Sequence, residues 1–248
     1  KGAVYMSRRK VIVKRLDAIQ NIGAMDILCT DKTGTLTQDK ICLEKHTDIF
    51  GCDYDDVLEF AYLNSYYQTG LKNLLDVAVL ERGNFGDIPL LVKKYSKIDE
   101  VPFDFQRRRM SVVVADESGD NVLICKGAVE EMMRACTHAE HNNQVMPLSE
   151  ELLEKLRSVT AELNADGLRV VAVAKKAYPR SKTVYAVSDE QEMILVGYVA
   201  FLDPPKETTR PAIEALNKLG IEVKILTGDN DLVTAKVCRE VGLNIVGM

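Results

Sequence analysis

Residues 31–37 constrain this chain more than any other segment. They read Asp-Lys-Thr-Gly-Thr-Leu-Thr and follow directly on residues 25–30, a short apolar run that ends at a polar turn. Such a run is typical of a buried parallel strand, and open α/β sheets bind ligands at the carboxyl ends of these strands. A carboxylate there can attack phosphorus and form an aspartyl phosphate, while Gly34 lets the backbone pass close to phosphate oxygens. The sequence therefore predicts that Asp31 is a nucleophile; the simpler alternative is an Asp-Lys ion pair in a surface turn.

Two further apolar runs, residues 196–201 and 221–226, flank a helical pattern. Pro211 suits the first turn of that helix and Gly220 closes it. A second helix is expected over residues 231–241. This order of strand, helix, strand and helix predicts a βαβ unit, with both runs in the same parallel sheet as the run that precedes the nucleophile.

The middle of the chain has a different pattern. Ser149 can cap a helix that Gly167 ends. The apolar runs 111–116 and 121–126, joined by Glu-Ser-Gly-Asp, predict a β-hairpin. We therefore predict an α/β domain that is interrupted by a large α+β block. The three segments of this organisation are residues 1–40, 41–199 and 200–248.

Composition excludes several classes of protein. The chain is 46% hydrophobic and 28% charged, which is typical of a folded core, and its net charge of −5 disfavours a general nucleic-acid binder. The 6 cysteines form no C-x-x-C pair, which argues against a structural zinc site and favours a reducing, cytosolic environment. Cys29, Cys125 and Cys238 lie among apolar residues and are expected to be small buried hydrophobes. The longest apolar stretch, about ten residues, falls short of the roughly 20 that span a bilayer, so we expect a soluble chain. The start at Lys1, without Met, predicts an excised fragment.

Four motifs together resemble those of a known family. The string at residues 31–37 resembles the phosphorylation motif of the P-type ATPases, the cation pumps with a haloacid-dehalogenase-like phosphorylation domain. Lys-Gly-Ala at 126–128, Asp-Pro-Pro-Lys at 203–206 and Thr-Gly-Asp at 227–229 follow in the family's order, although the family more often has Arg at the fourth position of the second of these. The resemblance implies an α/β fold: an incomplete haloacid-dehalogenase-like Rossmannoid parallel-sheet domain, interrupted by an α+β nucleotide-binding domain with an antiparallel sheet.

A finer resemblance concerns the transported ion. Residues 29–41, 70–76 and 102–110 look like those of the bacterial magnesium-importing P-type ATPases. This implies ATP and Mg²⁺ as cofactors, Mg²⁺ as the transported cation (another cation is the alternative), and a parent protein whose catalytic part lies on the cytoplasmic face of the bacterial inner membrane. The membrane helices and the family's later Gly-Asp-Gly-x-Asn-Asp segment do not occur in the chain, so we expect ATP binding with little sustained turnover.

The resemblance also implies roles for the phosphorylation residues. The implied catalytic set is Asp31, Lys32, Thr33, Thr227, Gly228 and Asp229. Asp31 would be the phosphorylated nucleophile, and Thr33 would contact the γ-phosphate and help Asp31 to hold Mg²⁺ through its backbone oxygen. Thr227 and Gly228 would bind the transferred phosphoryl group, with Asp229 near the ribose or the metal. The alternative for these last residues is an ordinary turn ahead of a helix, with the Asp as its cap.

The implied nucleotide-binding residues are Asp76, Phe103, Arg108, Lys126, Gly127, Arg169 and Asp203. Phe103 would stack on adenine, with Phe105 as the competing candidate, and we expect one of the two rings to lie in the core. Lys126 would line the floor of the adenine pocket. Asp76 would face the adenine amino group; the alternative is an exposed helix carboxylate.

The remaining basic and acidic residues of this set have open alternatives. Arg108 would lie near the phosphates, and Arg169 would bridge the nucleotide to the phosphorylation site. Asp203 either contacts the nucleotide or, with its two prolines, stiffens a crossover between domains. For Arg107, Arg108 and Arg109, the alternative is a solvated charged strand edge that opposes aggregation.

Two rival functions use the same residues. A soluble haloacid-dehalogenase-type phosphatase would use Asp31, but such enzymes usually carry a second acid where this chain has Thr33, and Thr there slows hydrolysis of the acyl phosphate. A non-catalytic nucleotide-binding module is the second rival. The basic residues 8–15 are expected to continue an upstream membrane helix or to be a plain solvated surface, without a nucleic-acid partner.

Overall fold

The computed structural model describes residues 2–15, 23–38, 40–83, 92–115, 119–228, 230–243 and 245. The helices among them are α1 (Gly2–Arg8), α2 (Asp55–Tyr67), α3 (Leu74–Gly83), α4 (Val129–Ala135), α5 (Glu150–Ala165), α6 (Thr209–Lys218) and α7 (Asp231–Glu240). The strands are β1 (Ile27–Asp31), β2 (Cys42–Asp48), β3 (Ser96–Asp104), β4 (Arg109–Ala115), β5 (Asn121–Ala128), β6 (Cys136–His141), β7 (Gln144–Pro147), β8 (Arg169–Tyr178), β9 (Met193–Leu202) and β10 (Glu222–Leu226). Among the described residues, every helix is too short or too polar to span a bilayer.

The chain divides into two compact units. The first unit comprises Lys1–Gln38, Pro205–Gly228 and Cys238–Met248, and the second comprises Asp39–Pro204 and Asp229–Val237.

The first unit is built on two parallel strands, β1 and β10, with Asp31 opposite Leu226. Its small core contains Leu36 and, from α6, Ile213. Cys29 is exposed, so the prediction of a buried thiol is wrong at this position, whereas it is confirmed for Cys125 and Cys238. The reason is the alternation along β1, which turns Cys29 to a face that the described residues leave open to solvent.

An eight-stranded sheet forms the second unit. Its strand order is β3-β4-β5-β8-β9-β6-β7, and β2 also pairs with β9. Most neighbours are antiparallel; β6 and β9 run parallel. Alternate residues of a strand enter different cores: Val113 of β4 packs on the side of α4 and α5, whereas Val112 and Val114 pack on the side of α2 and α3. The sheet therefore has helices on both faces, as an α+β domain requires.

Local sequence signals in this unit are confirmed. β4 and β5 form the predicted antiparallel hairpin. The hydroxyl of Ser149 accepts a hydrogen bond from the Leu152 amide at 3.2 Å, and Gly167 follows α5 with φ +86. These features depend on a few neighbouring residues only, which is why a linear pattern predicts them.

The predicted place of residues 196–201 is wrong. They belong to β9, which pairs antiparallel with β8 and β2 in the second unit and does not join the parallel sheet of β1 and β10. Unbroken apolar runs are typical of parallel strands because those are buried on both faces. The central strand β9 is antiparallel but is also covered on both faces, so its sequence has the same appearance.

Candidate active site

Asp31 is the last residue of β1, and its side chain is exposed. Because Asp31 lies opposite Leu226 in the parallel register, Thr227 and Gly228 begin at the same edge of the sheet. A Cβ added to Gly228 would meet no atom within 4 Å, so the backbone there is open to a ligand. Asp229 lies outside the described residues. The fold thus brings the carboxylate together with two of its predicted partners.

The turn after β1 is irregular and is held by its own hydrogen bonds. Gly34 has φ +73, a left-handed conformation that costs glycine little. The Gly34 amide donates to Thr37 Oγ1 at 3.1 Å, and the Thr37 amide donates to the Lys32 carbonyl at 3.2 Å. The Lys32 side chain is buried, whereas Thr33 is exposed beside Asp31. The glycine and threonines of this string therefore shape the loop as well as flanking the carboxylate.

Residues beyond the Asp-Pro-Pro string support this turn, which the sequence did not reveal. The Lys206 amide donates to the Leu36 carbonyl at 2.9 Å, and Thr209 Oγ1 donates to the same oxygen at 2.7 Å. Lys206 Nζ donates to the Gly34 carbonyl. Lys206 thus contacts the loop that follows Asp31, a contact that the position of a Lys in the motif does not specify.

In the second unit, Lys126 and Asp76 form a buried ion pair. Lys126 Nζ lies 2.5 Å from Asp76 Oδ1 and donates to Ser65 Oγ at 2.6 Å. The side chain of Asp76 is 1% exposed, so the alternative of an exposed helix carboxylate is wrong. Burial alone would raise the pKa of Asp76, but the Lys126 charge and hydrogen bonds from Lys126, Gln68 and Ser65 outweigh it and hold that pKa below its ordinary value.

Three residues that sequence reasoning missed complete the network around Asp76. Ser65 donates to Oδ1 at 3.0 Å, and Gln68 donates to Oδ2 at 2.7 Å. Asn73 and Asp76 cap the start of α3 reciprocally, since the Asp76 amide donates to Asn73 Oδ1 at 3.0 Å and the Asn73 amide donates to Asp76 Oδ2 at 3.3 Å. Each of the two carboxylate oxygens of Asp76 therefore accepts two hydrogen bonds. A pattern of Asn followed three residues later by Asp could have indicated the cap, but not the lysine.

Sheet topology brings the other predicted nucleotide residues to one end of the sheet. Arg109, beside Arg108, lies opposite Gly127 where β4 begins and β5 ends. Arg169 begins β8 opposite Phe201, close to the end of β9, which Asp203 follows. Arg108 and Arg169 are exposed, and Asp203 is half-buried. The order of the antiparallel strands thus brings residues from distant parts of the chain to the same end of the sheet.

Gly127 has a steric reason to be glycine. A Cβ there would lie 2.4 Å from the Arg109 Cβ and 2.8 Å from the Arg108 carbonyl oxygen. The Ala128 amide donates to that same carbonyl at 3.0 Å. Gly127 therefore lets the turn that carries Arg108 lie close against the end of β5.

Both aromatic candidates are exposed. Phe103 is 51% exposed and Phe105 89%, and their rings meet edge to face with centroids 5.3 Å apart. The prediction that one of them lies in the core is wrong. β3 is the edge strand of the sheet, and Phe105 lies beyond its last residue, Asp104, where the described residues leave its ring open to solvent.

The neighbouring arginines do not form a solvated edge. Arg107 and Arg109 both pair with the carboxylate of Glu190, whose side chain is fully buried, and Arg109 Nε lies 3.0 Å from Glu190 Oε2. Ser111 Oγ donates to Glu190 Oε1 at 2.7 Å. Glu190 was missed because it lies about 80 residues further along the chain and carries no motif.

The candidate metal ligands of this chain are oxygen atoms of Asp31 and Thr33. Among the residues that the structure describes, no group of three or more His, Cys, Asp or Glu side chains is placed to hold a metal ion. Asp31 supplies an exposed carboxylate, and the exposed Thr33 follows two residues later. Oxygen donors of this kind fit Mg²⁺, which usually keeps several waters and takes one or two carboxylates together with substrate phosphates.

Comparison with known proteins gives the family. Residues 55–208 match the family model of the P-type ATPase cytoplasmic domain N. The chain is 60% identical over 244 residues to magnesium-transporting ATPase, P-type 1, of Escherichia coli (strain K12), which covers 98% of this chain and 27% of that protein. A protein of the same name from Salmonella typhimurium (strain LT2) is 51% identical over 247 residues, covering 98% and 27%, and the plasma membrane ATPase of Kluyveromyces lactis is 29% identical over 243 residues, covering 98% and 25%. The chain spans about a quarter of the length of these relatives. Since the family model matches more than half of the chain, the chain belongs to the P-type ATPases, in the family of their cytoplasmic domain N.

Proposed function

We propose that this chain binds ATP in its second unit and accepts the γ-phosphoryl group on Asp31. The single observation that carries the proposal is the exposed carboxylate of Asp31 at the carboxyl end of β1, in register with the residue before Thr227 and Gly228. Residues 41–199 would form the nucleotide-binding domain, and residues 1–40 and 200–248 would form parts of the phosphorylation domain.

The proposed chemistry is a phosphoryl transfer. An Asp31 carboxylate oxygen attacks the γ-phosphorus of ATP in line with the β–γ bridging oxygen. The bond from phosphorus to that oxygen breaks, ADP leaves with the electron pair, and Asp31 carries an acyl phosphate. Thr33, Thr227 and the Gly228 amide would donate hydrogen bonds to the equatorial oxygens, which stabilises the transition state electrostatically. The buried Lys32 would hold the loop that presents Asp31.

Mg²⁺ would neutralise phosphate charge at this site. Asp31 and the Thr33 carbonyl would be its protein ligands. Asp229 would lie near the ribose or the metal.

Nucleotide recognition would fall to the end of the sheet described above. Phe103 or Phe105 would stack on adenine, since both rings are exposed there. Lys126, held by Asp76, would form the pocket floor, and Gly127 would admit the turn that carries Arg108 to the phosphates. Two further residues at this end of the sheet, Arg169 and Asp203, would complete the nucleotide contacts.

The parent protein would be an ATP-driven pump of the bacterial inner membrane that imports Mg²⁺. The magnesium and the ATPase activity rest on the printed names of the relatives at 60% and 51% identity. The direction of transport and the inner membrane rest on the resemblance of residues 29–41, 70–76 and 102–110 to the magnesium-importing pumps. ATP is the expected partner of this chain, and the cation would be bound by other parts of the parent protein.

The decisive experiment measures phosphate incorporation. The chain is incubated with γ-labelled ATP and Mg²⁺ and quenched in acid, and the label is then tested with hydroxylamine, which cleaves acyl phosphates. The parent chain and Asp26→Asn, whose exposed carboxylate lies at the other end of the same strand, should be labelled. Asp31→Asn should not. Label that persists in Asp31→Asn would refute the nucleophile.

Nucleotide binding is tested separately. ATP titration of the parent chain by calorimetry should saturate, and Lys126→Ala should bind far more weakly. Lys155→Ala, which removes an exposed lysine of α5, is the matched control and should bind as the parent does. Equal binding by Lys126→Ala would refute the role of this lysine.

A further inference from the structure

A buried carboxylate outside the predicted site holds the turn that carries the aromatic candidates. The Glu190 side chain is fully buried and pairs with Arg107 and Arg109. Ser111 Oγ donates to Glu190 Oε1 at 2.7 Å, and Arg109 Nη2 donates to the Glu190 backbone carbonyl at 3.3 Å. A buried charge is tolerated when it is paired and hydrogen-bonded on several sides, and among the described residues Glu190 meets this condition through Arg107, Arg109 and Ser111.

The turn between β3 and β4 also has hydrogen bonds of its own: the Arg108 amide donates to the Asp104 carbonyl at 2.7 Å, and Arg107 Nη2 donates to the Pro102 carbonyl at 2.6 Å. The amides of Gln106 and Arg107 each donate to Asp104 Oδ1 at 2.9 Å, and these bonds lower the pKa of the Asp104 carboxyl. Arg108 adopts φ +48, a conformation that is uncommon for a non-glycine residue. Phe105 is almost fully exposed, and the ring contact recorded for it is the edge-to-face one with Phe103. The position of the Phe105 ring therefore depends on the backbone of this turn.

Glu190 is itself held firmly. The preceding residue, Asp189, accepts the Ala186 amide on Oδ2 at 2.9 Å and pairs with Lys182 through Oδ1. Tyr178 donates its hydroxyl to the Asp189 carbonyl at 2.9 Å. The segment before β9 is thus anchored to β8, and it offers a fixed carboxylate to the turn.

We propose that Glu190 is a positioning residue for base recognition, because its carboxylate anchors Arg107 and Arg109 and so keeps the Phe103–Phe105 ring pair in the orientation that stacks on adenine. The inference rests on the proposed function, in which this unit binds ATP. Without the carboxylate, two neighbouring guanidinium groups would lose their shared counterion and repel one another. The turn would then sample other conformations, and binding would have to reorder it each time.

The test compares the parent chain with Glu190→Gln, Glu190→Asp and a control, Glu151→Gln. The control makes the same substitution in the exposed Glu151–Lys155 pair of α5. Each protein is titrated with ATP by calorimetry and with 2-aminopurine riboside triphosphate, whose fluorescence is quenched when its base stacks on an aromatic ring. Urea unfolding under the same conditions confirms that each protein is folded during the titration.

We expect the ATP dissociation constant of Glu190→Gln to rise about 5- to 100-fold, the range for loss of one stacked-base contact. Its fluorescence quench at saturation should be smaller than in the parent, which a purely structural role would not produce. Glu190→Asp keeps the charge and should give a quench between those of the parent and Glu190→Gln. Glu151→Gln should match the parent.

Each contrary outcome has a separate meaning. Parent-like affinity and quench in Glu190→Gln, with a parent chain that binds ATP, overturn the positioning role and leave the proposed nucleotide site intact. Weaker affinity with an unchanged quench at saturation also overturns it. If Glu190→Gln does not fold, a parent-like quench in Glu190→Asp overturns it. A parent chain that fails to bind ATP refutes the proposed function itself.

Discussion

Replacing Asp76 by Asn removes the countercharge of a buried ammonium. Lys126 Nζ lies 2.5 Å from Asp76 Oδ1, and both side chains are shielded from water. Removing one partner of such a pair typically costs about 3–5 kcal/mol, since the remaining charge stays in a medium of low polarity. We expect Asp76→Asn to lower the free energy of unfolding by about that amount. Lys126→Met should lower the free energy of unfolding by a similar amount. The double variant, Asp76→Asn with Lys126→Met, buries no charge at this place and should therefore regain at least half of the free energy that either single variant loses.

The same pair predicts a dependence on pH. The pKa of Asp76 is lower in the folded chain than in the unfolded chain, where an Asp titrates near 3.9. Its contribution to stability is therefore complete above the unfolded pKa and is lost as the pH falls through the folded pKa. Below about pH 4, the stability of the parent should fall more steeply than that of the double variant.

Urea unfolding followed by circular dichroism measures these effects, because the chain contains no tryptophan to serve as a fluorescence probe. The measurements are made without nucleotide, so that ligand binding does not contribute. Glu151→Gln, in an exposed pair, should give a transition that superimposes on that of the parent. Strictly additive losses in the double variant, or a loss below about 1 kcal/mol in Asp76→Asn, would refute a coupled buried pair.

Three further substitutions test separate features. Gly197→Ala should lower the free energy of unfolding, measured with urea, by about 1–3 kcal/mol, because its Cβ would lie 2.0 Å from the Thr47 carbonyl oxygen. A stability equal to that of the parent would show that this contact is not as close. The added methyl group of Gly228→Ala would enter open space, so this variant should change the free energy of unfolding by less than about 0.5 kcal/mol. It should nevertheless lower phosphate incorporation, and unchanged labelling would argue against a role of Gly228 at the phosphate. Ser149→Ala removes the hydroxyl that accepts the Leu152 amide and should cost about 1 kcal/mol in thermal or urea unfolding; a loss near zero would mean that water replaces the cap.

The candidate residues differ in how far the sequence could predict them. Asp31 and the glycine three residues later lie in one continuous string, so strand pattern and loop chemistry are sufficient to place them together. Lys126 is separated from Asp76 by 50 residues. The prediction that Lys126 lines the pocket floor does not indicate that the two side chains form an ion pair. The partner of Asp76 depends on how α3 packs on the sheet, which is a property of the folded core.

The errors have physical causes of the same kind. The apolar run of β9 was assigned to the wrong sheet because burial on both faces produces the same composition in a parallel and in a central antiparallel strand. One of Phe103 and Phe105 was expected in the core, but exposure is set by whether another element covers that end of the edge strand. Cys29 has apolar neighbours in the sequence but lies on an exposed face of β1.

The features that short segments encode could be predicted from the amino-acid sequence: the turn that follows β1, the hairpin of β4 and β5, the capped helix α5, and a mixed α/β chain with an inserted block. Which distant charges meet, Lys126 with Asp76 and Arg107 and Arg109 with Glu190, became known from the folded chain alone. Hydrogen bonding, capping and turn formation act over a few residues and leave a pattern in the sequence. The pairing of buried charges depends on sheet order and helix packing, which bring together side chains 50 to 83 residues apart.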